Sequence, residues 1–218
     1  MCGRYTLSDS RENLESHFKV TVAADYTPRY NIAPTQSSLV ILNTEPEIAQ
    51  EVFWGLKPVW FKPEQKLAVL NNVRSENLME KKTFHSHLKN RRCLVLANGF
   101  YEWQATEEGK QPFLIRLKKK YPFFFAGLWA EDKIGEVLMK TFAIITTSPN
   151  ILMKPIHDRM PVILGAYEAK KWLEEPNLDL LNPFSPESME AYEVSKEVNR
   201  AAFDRETLIE PLKELNSK

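Results

Sequence analysis

The sequence is poor in cysteine and glycine, carries no net charge and has no long apolar run. Its two cysteines, Cys2 and Cys93, are too few for a disulfide framework or a zinc site. No stretch approaches the ~18 apolar residues of a membrane helix, and the N-terminus lacks the apolar segment of a signal peptide. We therefore expect a soluble cytoplasmic protein with free thiols, without a signal peptide or a membrane contact.

The charge balance limits the nucleic-acid functions that are open to this protein. Lysine plus arginine and aspartate plus glutamate both number 29, so the formal net charge is zero. A protein that coats long stretches of duplex by charge alone would be more basic. Any nucleic-acid contact must therefore come from a local basic patch combined with stacking side chains.

Strand-like runs are numerous in the sequence, and helical patterns are few. Seven apolar runs predict strands, at residues 38–42, 51–54, 93–97, 113–117, 123–128, 141–147 and 162–164. Helices are expected after a capping box at Asp9 and Glu12, over 75–90, over 167–175 and near 206–215. Without βαβ alternation, the pattern predicts an α+β fold: a single domain, residues 1–218, with a β-barrel-like mixed sheet core and a few flanking helices.

Cys2 is the first candidate for chemistry. Removal of Met1 would leave a cysteine with a free α-amine, and both its amine and its thiol are partly deprotonated near neutral pH. Such a 1,2-aminothiol can trap an aldehyde as an imine that the sulfur closes into a thiazolidine. It can also act as an N-terminal nucleophile in amide hydrolysis. Taken alone, a terminal cysteine is a weak signal, and an ordinary second residue is the simpler interpretation.

Glu102 is the second candidate, because it follows a buried run and stands among Phe100, Tyr101 and Trp103. A carboxyl group desolvated by these aromatic rings should have a raised pKa and could act as a general acid or base. An edge-strand glutamate that points into water is the alternative, and the sequence does not separate the two.

The segment from Pro155 to Pro161 is the third candidate, with His157, Asp158 and Arg159 between two prolines. His157 could exchange a hydrogen bond with a substrate oxygen, and Arg159 could hold a phosphate. A local ion pair of Asp158 with Arg159 or with another cation is the structural alternative.

A fourth group combines amide, cationic and aromatic side chains. Asn72 and Arg74 would face one cleft if the chain is extended there. Upstream, Trp60 and Phe61 stand among lysines and prolines, an arrangement that suits stacking on single-stranded nucleic acid if these rings are exposed. We interpret Trp54, by contrast, as a core residue.

Six motifs occur in order along the chain and together carry a resemblance to a known family. They are Met1-Cys2-Gly3-Arg4-Tyr5, Arg29-Tyr30-Asn31-Ile32-Ala33-Pro34, Trp54-Gly55-Leu56-Lys57-Pro58, Asn72-Val73-Arg74-Ser75-Glu76, Gly99-Phe100-Tyr101-Glu102-Trp103 and His157-Asp158-Arg159-Met160-Pro161. The chain resembles the SRAP family, the SOS-response-associated peptidases or abasic-site-processing proteins. The resemblance extends from Cys2 to about Asn199. One departure is Asn98, where the family often has aspartate.

The resemblance implies an enzyme of DNA damage repair that senses abasic sites in single-stranded DNA. Mature Cys2 would form a covalent thiazolidine DNA–protein crosslink, with associated abasic-site lyase and self-processing activity. Carried over by position, Cys2 is the nucleophile, Glu102 the proton-transfer residue, Asn72 the holder of amine and sugar, and His157 the stabiliser of the opened deoxyribose. The DNA-binding positions would be Arg74, Arg159, Trp60, Phe61, Arg4 and Arg92.

The resemblance also implies a monomer that needs no metal or cofactor and that associates with the nucleoid during repair. A cysteine peptidase acting on protein substrates through Cys2, Glu102 and His157 is the alternative function. A single-strand binding module without catalysis is a third. Stacking aromatic rings beside guanidinium groups argue against the plain peptidase, and Cys2 with Glu102 argues against the plain binder.

Overall fold

The computed structural model describes residues 2–56, 69–134 and 137–212, with the side chains of 132–134 and 137 left aside. Within these residues the strands are β1 (Tyr5–Leu7), β2 (Thr21–Val22), β3 (Arg29–Ile32), β4 (Ser37–Leu42), β5 (Glu45–Trp54), β6 (Asn72–Arg74), β7 (Arg92–Ala97), β8 (Gly99–Thr106), β9 (Gly109–Leu117), β10 (Phe123–Ile134), β11 (Val137–Thr147), β12 (Met160–Pro161), β13 (Ile163–Leu164) and β14 (Met189–Glu193). The α-helices are α1 (Arg11–Phe18), α2 (Asn77–Glu80), α3 (Lys82–Asn90) and α4 (Ala166–Glu174). Short 3₁₀ turns cover Leu178–Leu180, Pro186–Ser188, Lys196–Asn199 and Glu206–Ile209.

Five of the strands close into a barrel. Strand β11 pairs with β10, β10 with β7, β7 with β4 and β4 with β5, all antiparallel. A parallel pairing between β5 and β11 then completes the ring. Every residue of β7 is buried, as expected for a continuous apolar run with both faces covered. The predicted α+β class with a barrel-like mixed sheet is therefore confirmed.

A second sheet, in the order β14-β9-β8-β1-β3, packs against the barrel and carries the N-terminus. Tyr5 of β1 pairs with Phe100 of β8, and the Tyr101 N–H donates to the Arg4 carbonyl at 2.9 Å. Because the two strands are antiparallel, the residues before Tyr5 lie beside those after Phe100. The register alone thus brings Cys2 towards Glu102, although 100 positions separate them in the chain.

The helices follow the expected pattern with shifted ends. Helix α1 is capped by Ser10, whose hydroxyl accepts from the Asn13 N–H, so the capping box predicted at Asp9 is wrong by one residue. The single helix expected over 75–90 is two helices, because Lys81 between them is extended. The helix expected near 206–215 is a 3₁₀ turn over Glu206–Ile209, and its last residues lie outside the described part.

Trp54 is fully buried and belongs to the core, as predicted. Asn98 holds the start of α1, since its Oδ1 accepts from Ser8 and Asp9 and its Nδ2 donates to Asp9. Among the described residues, none of the helices is both long enough and apolar enough to cross a bilayer.

Candidate active site

Cys2 is completely buried. The hydrogen bond from Tyr101 to the Arg4 carbonyl anchors the chain just after it, and the Cys2 thiol itself lies 3.9 Å from that carbonyl oxygen. Burial, reinforced by the nearby Glu102 carboxylate, raises the pKa of the Cys2 thiol well above its ordinary value. In this state the sulfur is a protonated thiol and not a thiolate nucleophile.

Asn72 fixes the backbone of Cys2. Strand β6 pairs in parallel with β11 at Asn72, Val73 and Arg74, so the segment is extended as predicted. The Asn72 side chain donates from Nδ2 to the Cys2 carbonyl oxygen at 2.8 Å. The family resemblance implies that Asn72 holds the N-terminal amine. In the structure, the Asn72 side chain contacts Cys2, the residue that would carry this amine once Met1 is removed.

Glu102 on β8 is a buried carboxyl group with only 2% of its surface exposed. Desolvation favours its neutral form and raises the pKa of Glu102 to about 7. Of the two environments that the sequence left open, the desolvated one is correct. A carboxyl group with this pKa can both donate and accept a proton near neutral pH.

His157 approaches Glu102 from the loop between β11 and β12. Gln104 of β8 holds this loop by donating to the Pro155 carbonyl at 3.0 Å. The Nε2 atom of His157 lies 3.9 Å from Oε2 of Glu102, which is longer than a hydrogen bond. A single oxygen atom placed between these two atoms can contact both of them.

The proton on His157 can be assigned from its neighbours. The Arg159 backbone N–H donates to Nδ1 at 3.0 Å, so Nδ1 accepts and Nε2 carries the proton of the neutral ring. Oδ1 of Asp158 also lies 2.9 Å from Nδ1, a contact that is attractive only when Nδ1 carries a proton. We give priority to the backbone donor, because the Asp158 side chain is 84% exposed and burial lowers the pKa of His157. The neutral ring then points an N–H donor towards Glu102.

Arg92, which was predicted to bind DNA, is a structural residue instead. Its guanidinium group is buried and donates to four carbonyl oxygens, those of Leu88, Lys89, Trp172 and Leu173. These bonds tie the end of α3 to the end of α4. With its donors committed inside the protein, Arg92 does not present a cation to a ligand, and this prediction is corrected.

Arg159 is also engaged within the protein. It forms a two-pronged ion pair with Glu76, at 2.6 and 2.9 Å, and donates to the Thr146 carbonyl at 2.7 Å. This pairing holds the pKa of Glu76 down at about 2. The local pair between Asp158 and Arg159 that the sequence analysis considered is therefore wrong for Arg159, whose partner is Glu76, 83 positions away in the chain.

The other predicted DNA contacts differ in their surroundings. Arg74 is exposed at the end of β6, next to the edge of the site. Arg4 is half-buried and donates from Nη1 to Oδ1 of Asn31 and to the Val198 carbonyl. Trp60 and Phe61 lie outside the described residues.

Sequence reasoning missed the role of Asn31. This fully buried amide donates from Nδ2 to the carbonyl oxygens of Val198, Arg200 and Phe203. It thereby fastens a C-terminal loop across the N-terminal strand, close to Cys2. Asn31 stands in one of the six motifs, so its position was marked even though its partners could not be predicted from the chain.

Two cavities show where a ligand can enter. One, of ≈ 400 Å³, lies between α1 and α4, has mostly apolar walls that include Phe18, Leu94 and Phe124, and contains none of the predicted catalytic residues. The other, of ≈ 410 Å³, opens directly onto Glu102 and His157. Among the described residues, no group of three or more potential metal ligands is found.

The buried Cys2 thiol, the Glu102 carboxyl group with its pKa raised to about 7 and the His157 imidazole define a candidate acid–base site next to the N-terminal residues. Comparison with known proteins identifies the family of the chain. The family model for SOS response associated peptidase (SRAP) matches residues 1–201, and the chain belongs to this family.

Similar proteins share most of the length of the chain. A Bacillus subtilis protein named abasic site processing protein YoqW is 39% identical, over 96% of this chain and 99% of that protein. The Gallus gallus protein named abasic site processing protein HMCES is 33% identical, over 86% of this chain and 67% of that protein. A crystal structure of a Bacteroides thetaiotaomicron protein superimposes with a TM-score of 0.84 at 25% identity, over 97% of this chain and 100% of that one.

Proposed function

We propose that this protein captures abasic sites in single-stranded DNA by forming a covalent thiazolidine between its N-terminal Cys2 and the sugar aldehyde. The observation that carries the proposal is an arrangement: the Asn72 side chain holds the Cys2 backbone, the Glu102 carboxyl group is close enough to act on the Cys2 thiol electrostatically, and His157 lies 3.9 Å from Glu102. The naming of relatives as abasic site processing proteins supports the same substrate.

The chemistry begins with removal of Met1, by hydrolysis of the first peptide bond, which exposes the Cys2 α-amine. Self-cleavage and an aminopeptidase both satisfy this requirement. The amine then adds to the aldehyde of the opened sugar to give a carbinolamine, which loses water to form an imine. The Cys2 sulfur adds to the imine carbon while its proton passes to nitrogen, and this step closes the thiazolidine ring.

The acid–base pair fits these steps. An abasic sugar exists mostly as a closed hemiacetal, so that opening it needs a proton donor near the ring oxygen. The Nε2–H of neutral His157 can donate a hydrogen bond to that oxygen, while Glu102, with its pKa near 7, supplies the proton for ring opening and, once reprotonated, the proton that expels water from the carbinolamine. The protonated state of the thiol favours attack by the amine first and by sulfur second.

The same features weigh against a plain cysteine peptidase. Such an enzyme attacks through a thiolate, and both burial and Glu102 disfavour the thiolate of Cys2. An imine, in contrast, also acidifies the neighbouring sugar proton, so that weak strand cleavage by β-elimination accompanies the proposed capture. Arg74, Arg4, Trp60 and Phe61 remain the proposed contacts to the DNA strand, whereas the guanidinium group of Arg159 is committed to Glu76 and to the Thr146 carbonyl.

Denaturing electrophoresis tests the proposal. The purified protein is mixed with single-stranded DNA that carries one abasic site, with Cys2→Ala and an intact oligonucleotide as controls. We expect a shifted band that survives denaturation and is lost in both controls. Absence of that band, in protein confirmed by mass spectrometry to have lost Met1, would exclude covalent capture and favour the peptidase.

A further inference from the structure

The cavity that opens onto Glu102 and His157 has three further wall residues to which the proposed chemistry gives no contact with the substrate. They are Trp103, Lys110 and Asn199. Trp103 and Lys110 belong to the hairpin of β8 and β9, and Asn199 belongs to the C-terminal loop. Two separate parts of the chain, the β8–β9 hairpin and the C-terminal loop, therefore converge beside the acid–base pair.

Asn199 is held in place from both sides. The buried Nδ2 of Asn31 donates to the carbonyl oxygens of Val198 and Arg200, at 3.3 and 3.0 Å, and Arg4 also donates to the Val198 carbonyl at 2.6 Å. These two carbonyls flank Asn199 in the chain. The network that ties the C-terminal loop to the N-terminal strand thus also fixes one wall of the cavity.

The orientation of the Asn199 amide follows from its contact with Trp103. The indole Nε1 of Trp103 donates to Oδ1 of Asn199 at 2.7 Å. Because an indole N–H can only donate, the amide oxygen must face it, and Nδ2 with its two hydrogens lies on the other side of the amide. Within the described part of the chain, no residue accepts a hydrogen bond from that Nδ2.

Lys110 adds an exposed ammonium group to the same wall. Its charge acts on the site: after burial and the charge of the chain's amino terminus, Lys110 is a further cause that lowers the pKa of His157. Lys110 and the Asn199 Nδ2 together offer up to five N–H donors and no acceptor. A wall of this kind favours an anion, and the half-buried Trp103 ring beside it offers an aromatic surface.

We propose that Trp103, Lys110 and Asn199 form a subsite for the phosphodiester group of the nucleotide next to the abasic sugar. Lys110 and the Asn199 amide contact the phosphate oxygens, and Trp103 forms the wall against the attached sugar or base. This inference rests on the proposed function, since it places the strand that leads into the acid–base pair. It assigns the contact to a phosphate and makes no claim on base identity.

Crosslinking rates at a series of salt concentrations test the subsite. Lys110→Ala should lower the rate constant at low salt about fivefold, and the slope of log rate against log salt should become shallower by about 0.7, the value for one lost phosphate contact on a single strand. Lys119→Ala is the matched control, because this exposed lysine lies beyond the opposite end of β9. It should match the unmodified protein in both rate and slope.

Asn199→Asp tests the amide donors of the subsite. Aspartate keeps an acceptor for the Trp103 indole but replaces the Nδ2 donors with negative charge, so the loss should be at least as large as for Lys110→Ala. Free 2-deoxyribose offers the same aldehyde without any phosphate, and its addition to Cys2, followed as a mass shift, should be unchanged in both variants.

The outcomes separate the two proposals. If Lys110→Ala and Asn199→Asp match Lys119→Ala in rate and slope, the subsite is wrong while covalent capture stands. If the unmodified protein forms no crosslink, the proposed function fails, and fluorescence anisotropy with intact single-stranded DNA then tests the subsite by itself. In that assay, equal salt slopes for Lys110→Ala and Lys119→Ala overturn it, and a shallower slope for Lys110→Ala supports it.

Discussion

Glu102 and Arg92 are two buried ionisable side chains that differ in their hydrogen-bond partners and in what burial does to them. Arg92 donates to four carbonyl oxygens and joins two helix ends. Glu102 lies in a desolvated position where its pKa rises to about 7, within 3.9 Å of an imidazole. A buried group whose hydrogen-bond partners are all backbone carbonyls fixes structure, whereas a buried group that titrates near neutral pH is suited to proton transfer.

The largest effect that we expect is a slower crosslinking reaction when Glu102 is replaced. Glu102→Gln keeps the shape of the side chain but removes the titrating proton, so the crosslinking rate constant should fall about 100-fold. The variant should fold normally, because a neutral amide replaces a carboxyl group that is itself often neutral. Pre-steady-state quench measurements, with circular dichroism as the folding control, check this. A rate within twofold of the unmodified protein would contradict the acid–base role.

Arg92 should give the opposite result, with stability lost and chemistry kept. Arg92→Met leaves four buried carbonyl oxygens without their donor, which should lower the free energy of unfolding by about 3 kcal/mol. Urea denaturation measures the loss, with Lys89→Ala as a control on an exposed neighbour. Below the unfolding transition, the crosslinking rate should be unchanged. A large loss of DNA capture in folded Arg92→Met would restore the DNA-binding prediction for this residue.

The comparison also predicts a pH dependence of stability. The folded-state pKa of Glu102, about 7, lies above its unfolded value near 4.5, so the folded state binds the proton more tightly. The contribution of protonated Glu102 to the free energy of unfolding is fully present below the unfolded-state pKa of 4.5. It is lost as the pH rises through about 7. We expect Glu102→Gln to remove this decline and to be more stable than the unmodified protein at pH 8, by up to about 3 kcal/mol. Denaturation curves at pH 5, 6, 7 and 8 check the sign, and an unchanged decline in the variant would contradict it.

The smallest expected effect concerns the ion pair between Arg159 and Glu76. Glu76 is about half exposed, so solvent screening limits the pair to about 0.5–1 kcal/mol. Its lowered pKa means that the contribution is present above pH 4.5 and is lost as the pH falls towards 2. Thermal melts of Glu76→Gln at pH 7 and pH 2 should therefore differ from the unmodified protein clearly at pH 7 and little at pH 2. An equal difference at both values would show that the carboxylate charge is not the cause.

The sequence analysis succeeded where one local pattern decides the outcome. The apolar run at 93–97 became a buried strand, and the desolvated carboxyl group observed at Glu102 is one of the two environments that its aromatic neighbours had left open. It failed where a partner comes from a distant part of the chain. Arg92 looked like an available cation because the helix ends that accept its bonds, at Leu88, Lys89, Trp172 and Leu173, are assembled only by folding.

The same reason explains the residues that were not foreseen around the site. Asn199 lies 96 positions from Trp103, and only the loop held by Asn31 brings the two side chains together. No spacing rule connects such positions. The six motifs marked Asn31 and Glu76, but their function in holding the C-terminal loop and Arg159 depends on tertiary contacts.

Mass spectrometry of the reacted protein tests the central claim most directly. The protein without Met1 is incubated with a short single-stranded oligonucleotide that carries one abasic site, the product is digested, and the modified peptide is sequenced. Covalent capture predicts that the sugar remnant is attached to the peptide beginning at Cys2, with the mass of an aldehyde condensed with loss of one water. Attachment at a lysine, or unmodified Cys2 in a protein that has consumed the abasic DNA, would contradict the account.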